Sequence, residues 1–122
     1  MQIFDCTTFF NEKMIMDLRF NTLNPYVTKF IVVESIYSHS GQKKNLNFNI
    51  NDYPDFKNKI EYIVIKEEPA DIIKGDELIK NPHNKRFNSL KRIEQSYDYM
   101  IKGIDEAKED DLILLSDNDE IP

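Results

Sequence analysis

Three short apolar runs, each the length of one strand, constrain the fold of this 122-residue chain most strongly. They are residues 29–34 (KFIVVE), 60–65 (IEYIVI) and 111–116 (DLILLS). A strand with one face in water alternates polar and apolar residues, whereas a strand of a parallel sheet is covered on both faces. The three nearly continuous runs therefore predict buried strands of a mostly parallel sheet.

A shorter apolar run and a helix precede the first of these strands. Residues 3–6 indicate a further strand at the N-terminus. Asn11 is predicted to be the N-cap of the helix, because its side-chain oxygen can accept bonds from the first helical turn. The apolar stripe at helical spacing consists of Met14, Ile15 and Leu18. Pro25 ends the helix, because proline disfavours helical geometry in the preceding Asn24.

The longest periodic segment lies before the last strand. Apolar residues recur there at intervals of three and four, which predicts a helix from about residue 84 to residue 108. Residues 67–82, directly before it, are predicted to form a long polar loop. The resulting order of strand, helix, strand, strand, helix and strand indicates one α/β domain over residues 1–122, with right-handed crossovers.

Charge and hydropathy exclude several classes of partner. Sixteen basic and twenty-two acidic residues leave a net charge of −6. Nucleic acids and anionic membranes attract basic patches, so this balance argues against both. The apolar runs are far shorter than the roughly 20 residues of a membrane helix, and the N-terminus does not resemble a signal peptide. A cytoplasmic location is expected, with the single cysteine, Cys6, as a small buried residue.

An acidic run, Asp117-Asn118-Asp119-Glu120, directly follows the last predicted strand. In open α/β sheets, ligands bind beyond the carboxyl ends of the strands. If the chain stays extended, Asp117 and Asp119 point to the same side, where both carboxylates can reach one hard cation such as Mg²⁺. Aspartate and asparagine are also common in solvated turns, and the spacing alone favours that simpler interpretation.

Several stretches in order resemble one known family. They are residues 3–12 (IFDCTTFFNE), 17–23 (DLRFNTL), 30–35 (FIVVES) with the following Ser40-Gly41, and 110–122 (DDLILLSDNDEIP). Together they resemble glycosyltransferase family 17, whereas residues 55–84 match it poorly. This family includes the enzymes that add a bisecting N-acetylglucosamine to the mannose core of N-glycans.

The resemblance implies a fold, a reaction and a metal. The fold is of the GT-A type, a Rossmann-like α/β fold whose mostly parallel sheet has the strand order 3-2-1-4 and is truncated after the fourth strand. The reaction is an inverting sugar transfer from a nucleoside-diphosphate sugar, a UDP-sugar in particular, to a glycan acceptor. Asp117 and Asp119 would then hold the diphosphate together with Mn²⁺ or Mg²⁺.

Four other positions acquire donor-binding roles through the same resemblance. Glu34, at the end of the second strand, matches an acidic position that contacts the nucleoside in GT-A enzymes. Its alternative role is a strand-end charge that faces water. Thr7, Thr8 and Phe9 would line the nucleotide pocket, and their alternative role is to shape the turn into the first helix.

The long helix departs from the family pattern. Family members place an arginine directly after a glutamine there, but in this chain Gln95 is followed by Ser96. Arg86 or Arg92 would contact the phosphates instead. The favoured alternative is that both arginines lie on a solvated face of the helix.

The family pattern also continues well past the acidic run. The later part should supply acceptor contacts and the catalytic base, so residues 1–122 are expected to be either a compact enzyme or the N-terminal part of a longer catalytic domain. Glu120 has only its proximity to recommend it as the base. Two other functions stay open: a non-catalytic module that binds nucleotide sugar and metal, and a nucleotidyltransferase-like enzyme.

The order 3-2-1-4 leaves the strand of residues 111–116 at one edge of the sheet. An apolar strand with an open edge tends to pair with another chain. We therefore expect a homo-oligomer that covers this strand.

Overall fold

The computed structural model of the chain describes residues 1–116. Its centre is a four-stranded, all-parallel sheet in the order β3-β2-β1-β4. The strands are β1 (Ile3–Thr8), β2 (Lys29–Ser35), β3 (Ile60–Ile65) and β4 (Leu112–Ser116). This architecture confirms the predicted α/β class and the order 3-2-1-4.

Helices cover the two faces of this sheet. They are α1 (Lys13–Leu23), the short α2 (Asp76–Lys80) and the long α3 (His83–Gly103), with two 3₁₀ turns at Ile50–Asp52 and Lys57–Lys59. Among the helices of residues 1–116, none combines the length and apolar character needed to cross a bilayer.

Alternating residues of each central strand pack into two separate hydrophobic cores, one on each face of the sheet. On the α1 side, Phe30 and Val32 of β2 pack with Phe20 and with aromatic residues of the segment 48–56. On the α3 side, Ile31 and Val33 of β2 pack with Met100 of α3 and with neighbouring strand residues. Because both faces of β2 are covered, its sequence is continuously apolar, as expected for a central parallel strand.

The buried face of α1 differs from the predicted one. Met14 and Leu18 of the predicted stripe are 83% and 52% exposed, whereas Arg19 is 1% exposed. Arg19 points inward because it forms an ion pair with Asp5 of β1. The predicted N-cap was also wrong, since Glu12 occupies that position and makes no side-chain cap bond.

The prediction of a buried fourth strand was wrong. Leu112, Ile113 and Leu115 are 46%, 36% and 49% exposed. The reason lies in the position of β4, because α3 packs over the other three strands and β4 forms the edge beyond β1. An apolar run thus identified the strand correctly but not its surroundings.

The long helix is shorter than predicted. It ends at Gly103, and residues 104–107 continue as a turn. A side chain at Gly103 would lie 3.0 Å from side-chain atoms of both Ile31 and Ile63, so this glycine permits close packing of the helix end on the sheet. The predicted polar loop of residues 67–82 also contains a helical element, α2.

Cys6 is fully buried in β1, as predicted. Its environment makes the folded protein less stable as the pH rises into the alkaline range. Burial, with a smaller contribution from the charge of Asp5, raises the pKa of the thiol from 9.0 to about 12. The unfolded thiol loses its proton near pH 9, while the folded thiol keeps it. The contribution of this thiol to the free energy of unfolding is therefore fully present below pH 9. Above pH 9 the free energy of unfolding falls by up to about 1.4 kcal/mol per pH unit.

Urea unfolding at pH 8 and pH 10.5 measures this effect, and Cys6→Ala is the control. Tyr53, whose pKa burial also raises to about 12, adds a similar loss above pH 10 that the variant retains. The variant should therefore show a shallower decline than the wild type. Equal declines in the two proteins would contradict the role assigned to Cys6.

Candidate functional site

A cavity of about 460 Å³ opens where β1 and β2 end. Thr8 and Phe9 line it from the end of β1, and Val33 and Ser35 line it from the end of β2. Its size lies within the range of small-molecule sites, roughly 300–1,000 Å³. The cavity also lies at the carboxyl ends of parallel strands, which is where open α/β sheets bind ligands.

A hairpin turn of residues 38–42 forms a second side of this cavity. Tyr37 and Lys43 make an antiparallel bridge at its base, and the Ser38 amide donates to the Gln42 carbonyl at 2.9 Å. Ser38, His39 and Ser40 line the cavity from this turn. A polar sequence with one glycine is typical of a turn, but nothing in this pattern indicates that the turn borders a pocket.

Two residues of α3 hold this turn against the helix. The Ser89 hydroxyl and Arg92 Nη1 each donate to the His39 carbonyl at 2.9 Å. Arg92 Nε and Nη2 donate to Glu68 Oε1 at 3.1 and 2.7 Å. The arginine thus joins the turn, the helix and the segment after β3, and its side chain is only 10% exposed.

Gly41 lets this turn approach Arg92 closely. Its φ of +90° lies in the left-handed region, and an added Cβ would lie 2.5 Å from Arg92 Nη2. We expect Gly41→Ala to lower the free energy of unfolding by about 2 kcal/mol, from backbone strain and from displacement of the guanidinium. Urea unfolding measures this change.

A double-mutant cycle separates the two causes. In an Arg92→Ala background the clash is absent, so Gly41→Ala should cost less than it does in the wild type by more than about 0.5 kcal/mol. Strict additivity of the two substitutions would contradict the close approach of the turn to the guanidinium.

A buried carboxylate, Glu34, organises a third side of the cavity. Its side chain is fully buried and accepts from Lys44 Nζ at 2.6 Å, from the Tyr62 hydroxyl at 2.6 Å, and from the backbone amides of Asn47 and Phe48 at 2.7 and 3.0 Å. Burial and the hydrogen bond to Glu34 raise the pKa of Tyr62 far above its ordinary value. The tyrosine therefore stays protonated and donates to the carboxylate.

This arrangement answers part of the prediction for Glu34. The alternative role as a charge facing water was wrong, because the side chain lies inside the protein. The predicted contact with a nucleoside stays a prediction. In the structure, both carboxylate oxygens of Glu34 already accept hydrogen bonds from protein groups. Glu34 instead presents Lys44, which lines the cavity and lies 5.3 Å from the centre of the Phe10 ring.

The other predicted site residues separate into two groups. Thr8, Phe9 and Arg92 all line the cavity. Thr7 is buried on the α1 side of β1 and does not line it, because successive strand residues point to opposite faces. Arg86 is exposed and does not line the cavity. The favoured alternative, a position on a solvated face of the helix, was wrong for Arg92, whose side chain is mostly buried.

The predicted metal ligands, Asp117 and Asp119, lie outside the described residues, as does Glu120. The strand that leads to them ends at Ser116, whose register partner in β1 is Thr7. Within residues 1–116 no group of three or more His, Cys, Asp or Glu side chains is arranged to hold a metal.

Comparison with known proteins decides the family. The family model of glycosyltransferase family 17 matches residues 1–122, which is the whole sequence. The chain belongs to glycosyltransferase family 17. It is therefore an enzyme, a glycosyltransferase. No curated protein and no solved structure matches the chain.

The cavity of this family 17 chain contains residues that sequence reasoning missed as pocket residues. Phe10, Tyr37 and Ser96 line it, in addition to the hairpin turn and Lys44. Phe10 has a visible signal in the sequence, since it is a large aromatic residue two positions after the end of β1. The others are brought together from three distant segments, and no local pattern indicates that.

Proposed function

We propose that this glycosyltransferase transfers a sugar from a nucleoside-diphosphate sugar, of which a UDP-sugar is the leading candidate, to a glycan acceptor with inversion at the anomeric carbon. The observation that carries the proposal is the position of the cavity. The chain runs from β1 to β2 and β3 on one side and returns to β4 on the other, so β1 borders the switch point of the sheet. Crevices at such points bind nucleotides.

The lining of the cavity suits a nucleoside and its phosphates. The rings of Phe10 and Tyr37 offer flat apolar surfaces for a base, and the hydroxyls of Ser38 and Ser40 offer hydrogen bonds to a ribose. Arg92 is a cation beside them with more N–H groups than its three hydrogen bonds use. In this proposal Arg92 contacts the diphosphate.

Asp117 and Asp119 complete the proposed donor site with Mn²⁺ or Mg²⁺. Two facts support their role: Asp117 directly follows Ser116, and Ser116 pairs with Thr7, one residue before the cavity-lining Thr8. Paired carboxylates also suit hard divalent cations. A cation bound there would neutralise the diphosphate and stabilise it as the leaving group.

The remaining chemistry falls to residues that hold and orient the donor. Ser38 and Ser40 would hold the ribose and Arg92 the diphosphate, so that the anomeric carbon faces the acceptor hydroxyl. N-acetylglucosamine is the donor sugar that the family suggests. The base that takes the hydroxyl proton must lie within hydrogen-bond reach of it, and no described residue is assigned that role.

Calorimetric titration of UDP and UDP-N-acetylglucosamine, with and without Mn²⁺, tests this function. We expect binding that strengthens with Mn²⁺ in the wild type and loses its metal dependence in Asp117→Ala. Lys108→Ala is the control, because Lys108 lies outside the cavity lining. Release of N-acetylglucosamine or its transfer to a glycan then reports turnover.

Each outcome has a distinct meaning. Metal-dependent binding with turnover supports the enzyme as proposed. Binding without turnover favours a donor-binding module that acts with a partner. Failure of the wild type to bind any sugar nucleotide, or equal metal dependence in Asp117→Ala, overturns the donor and metal site.

We also propose that two copies of the chain associate through β4. Its outer edge has no strand partner within residues 1–116, and Leu112 and Leu115 are about half exposed. Pairing of β4 with its copy across a two-fold axis would cover this apolar surface. Sedimentation at micromolar concentration should show a dimer, and a monodisperse monomer would contradict the pairing.

A further inference from the structure

A second cavity, also of about 460 Å³, lies on the other side of the turn of residues 38–42. Ser40 and Arg92 line both cavities, so the two spaces share one wall. A ligand in the second cavity would therefore lie next to a ligand in the first.

The second cavity is basic, although the chain as a whole is acidic. Its charged lining consists of three cations, Lys74, Lys85 and Arg92, and one anion, Glu68. Glu68 is already bound to Arg92. Among residues 1–116, neither Lys74 nor Lys85 has a hydrogen-bond or salt-bridge partner. By contrast, Lys91 on the same helix is paired with Asp71 and Glu94.

Local structure brings these cations together. Asn88 is 3% exposed, and its side chain makes two hydrogen bonds to the backbone of Ile73. It accepts from the Ile73 amide at 2.7 Å and donates to the Ile73 carbonyl at 2.8 Å. This fixes the segment that carries Lys74 against α3. Lys85 and Arg92 lie three residues before and four residues after Asn88, hence on the same helical face.

We propose that the second cavity binds an anionic group, a carboxylate or a phosphate, carried by the acceptor. The inference rests on the proposed function, because the shared wall places this cavity beside the proposed donor. The two ammonium groups of Lys74 and Lys85, which have no partner among residues 1–116, favour an anion over a neutral sugar. The substrate class is then an acidic or phosphorylated glycan.

Three ligands that share one hexose ring test this proposal. Glucose is neutral, glucuronate adds a carboxylate, and glucose 6-phosphate adds a phosphate. We expect both anions to bind and glucose to fail, with amide resonance shifts at Ile73 and Asn88. The tighter of the two anions identifies the group on the acceptor.

Substitutions locate the binding. Lys74→Ala and Lys85→Ala should each weaken anion binding by about three- to tenfold, because each removes one charge-assisted contact. Lys108→Ala removes the same charge outside both cavities and should leave binding unchanged. The affected lysines are exposed, so both variants are expected to fold.

Titration in the presence of UDP keeps the two proposals separable. Simultaneous binding of UDP and a hexose anion supports two adjacent sites, and competition between them overturns the second. Glucose binding as tight as anion binding, or unchanged anion binding when both lysines are replaced, would overturn it as well. If UDP fails to bind while the hexose anions still bind, the proposed donor site is overturned and the anion cavity stays supported.

Discussion

Replacing Asp5 by alanine is expected to lower the free energy of unfolding by about 3–5 kcal/mol, because it removes one charge of a buried, bidentate ion pair and leaves the other in the core. Asp5 lies in the central strand β1, and its oxygens accept from Arg19 Nε and Nη2 at 2.6 Å each. The side chains of Asp5 and Arg19 are 0% and 1% exposed. Water therefore cannot replace the lost partner.

Urea unfolding monitored by circular dichroism measures this loss. Lys13→Ala is the matched control, because Lys13 and Asp52 form an ion pair whose side chains are 69% and 36% exposed. Such surface pairs contribute about 0–1 kcal/mol. Similar unfolding free energies for the two variants would contradict the buried pair.

A paired substitution refines the interpretation. Replacing Asp5 and Arg19 together by apolar residues of similar volume removes both charges at once. Buried pairs replaced in this way are often neutral in stability, so the double variant should recover much of the loss. Recovery would show that the large effect of Asp5→Ala comes from removing only one charge of the buried pair.

Replacing Glu34 by alanine is expected to lower the free energy of unfolding by about 3 kcal/mol or more and to release the wall formed by residues 44–48. The substitution removes the acceptor of the Tyr62 hydroxyl and of two backbone amides, and it leaves the Lys44 ammonium with only the Asn45 carbonyl. Unfolding in urea measures the global loss, and hydrogen exchange at Asn47 and Phe48 measures the local one.

Two variants control this experiment. Glu106→Ala removes an exposed carboxylate that is paired with Lys29, and its effect should stay below about 1 kcal/mol. Glu34→Gln keeps one oxygen acceptor, so its loss should be intermediate. Unchanged exchange at Phe48 in Glu34→Ala would refute the anchoring role.

The sheet was largely predictable from sequence because its strands are short and continuously apolar. The segments of β2 and β3 were predicted to within one residue. The exposure of β4 was not predicted, since an apolar run indicates a strand and cannot reveal that this strand lies at the edge of the sheet, partly exposed among residues 1–116. The inward position of Arg19 likewise depends on Asp5, a partner 14 residues away.

The site was predictable where it follows a strand end and not where distant segments meet. Thr8 and Phe9 line the cavity because Thr8 ends β1 and Phe9 follows it, and their contact with a nucleotide stays a prediction. Arg92 lines the cavity through contacts with Glu68 and His39, each more than 20 residues away. The role of Glu34 as an internal anchor depends on the path of residues 44–48, which no local pattern specifies.

Backbone amide spectra of the labelled chain, recorded during titration with UDP and Mg²⁺ and again with Mn²⁺, test the central claim most directly. The account predicts shifts clustered at Thr8, Tyr37 and Ser38, with paramagnetic broadening by Mn²⁺ strongest near Ser116. Absence of any change, or changes centred away from the carboxyl ends of β1 and β4, would contradict it.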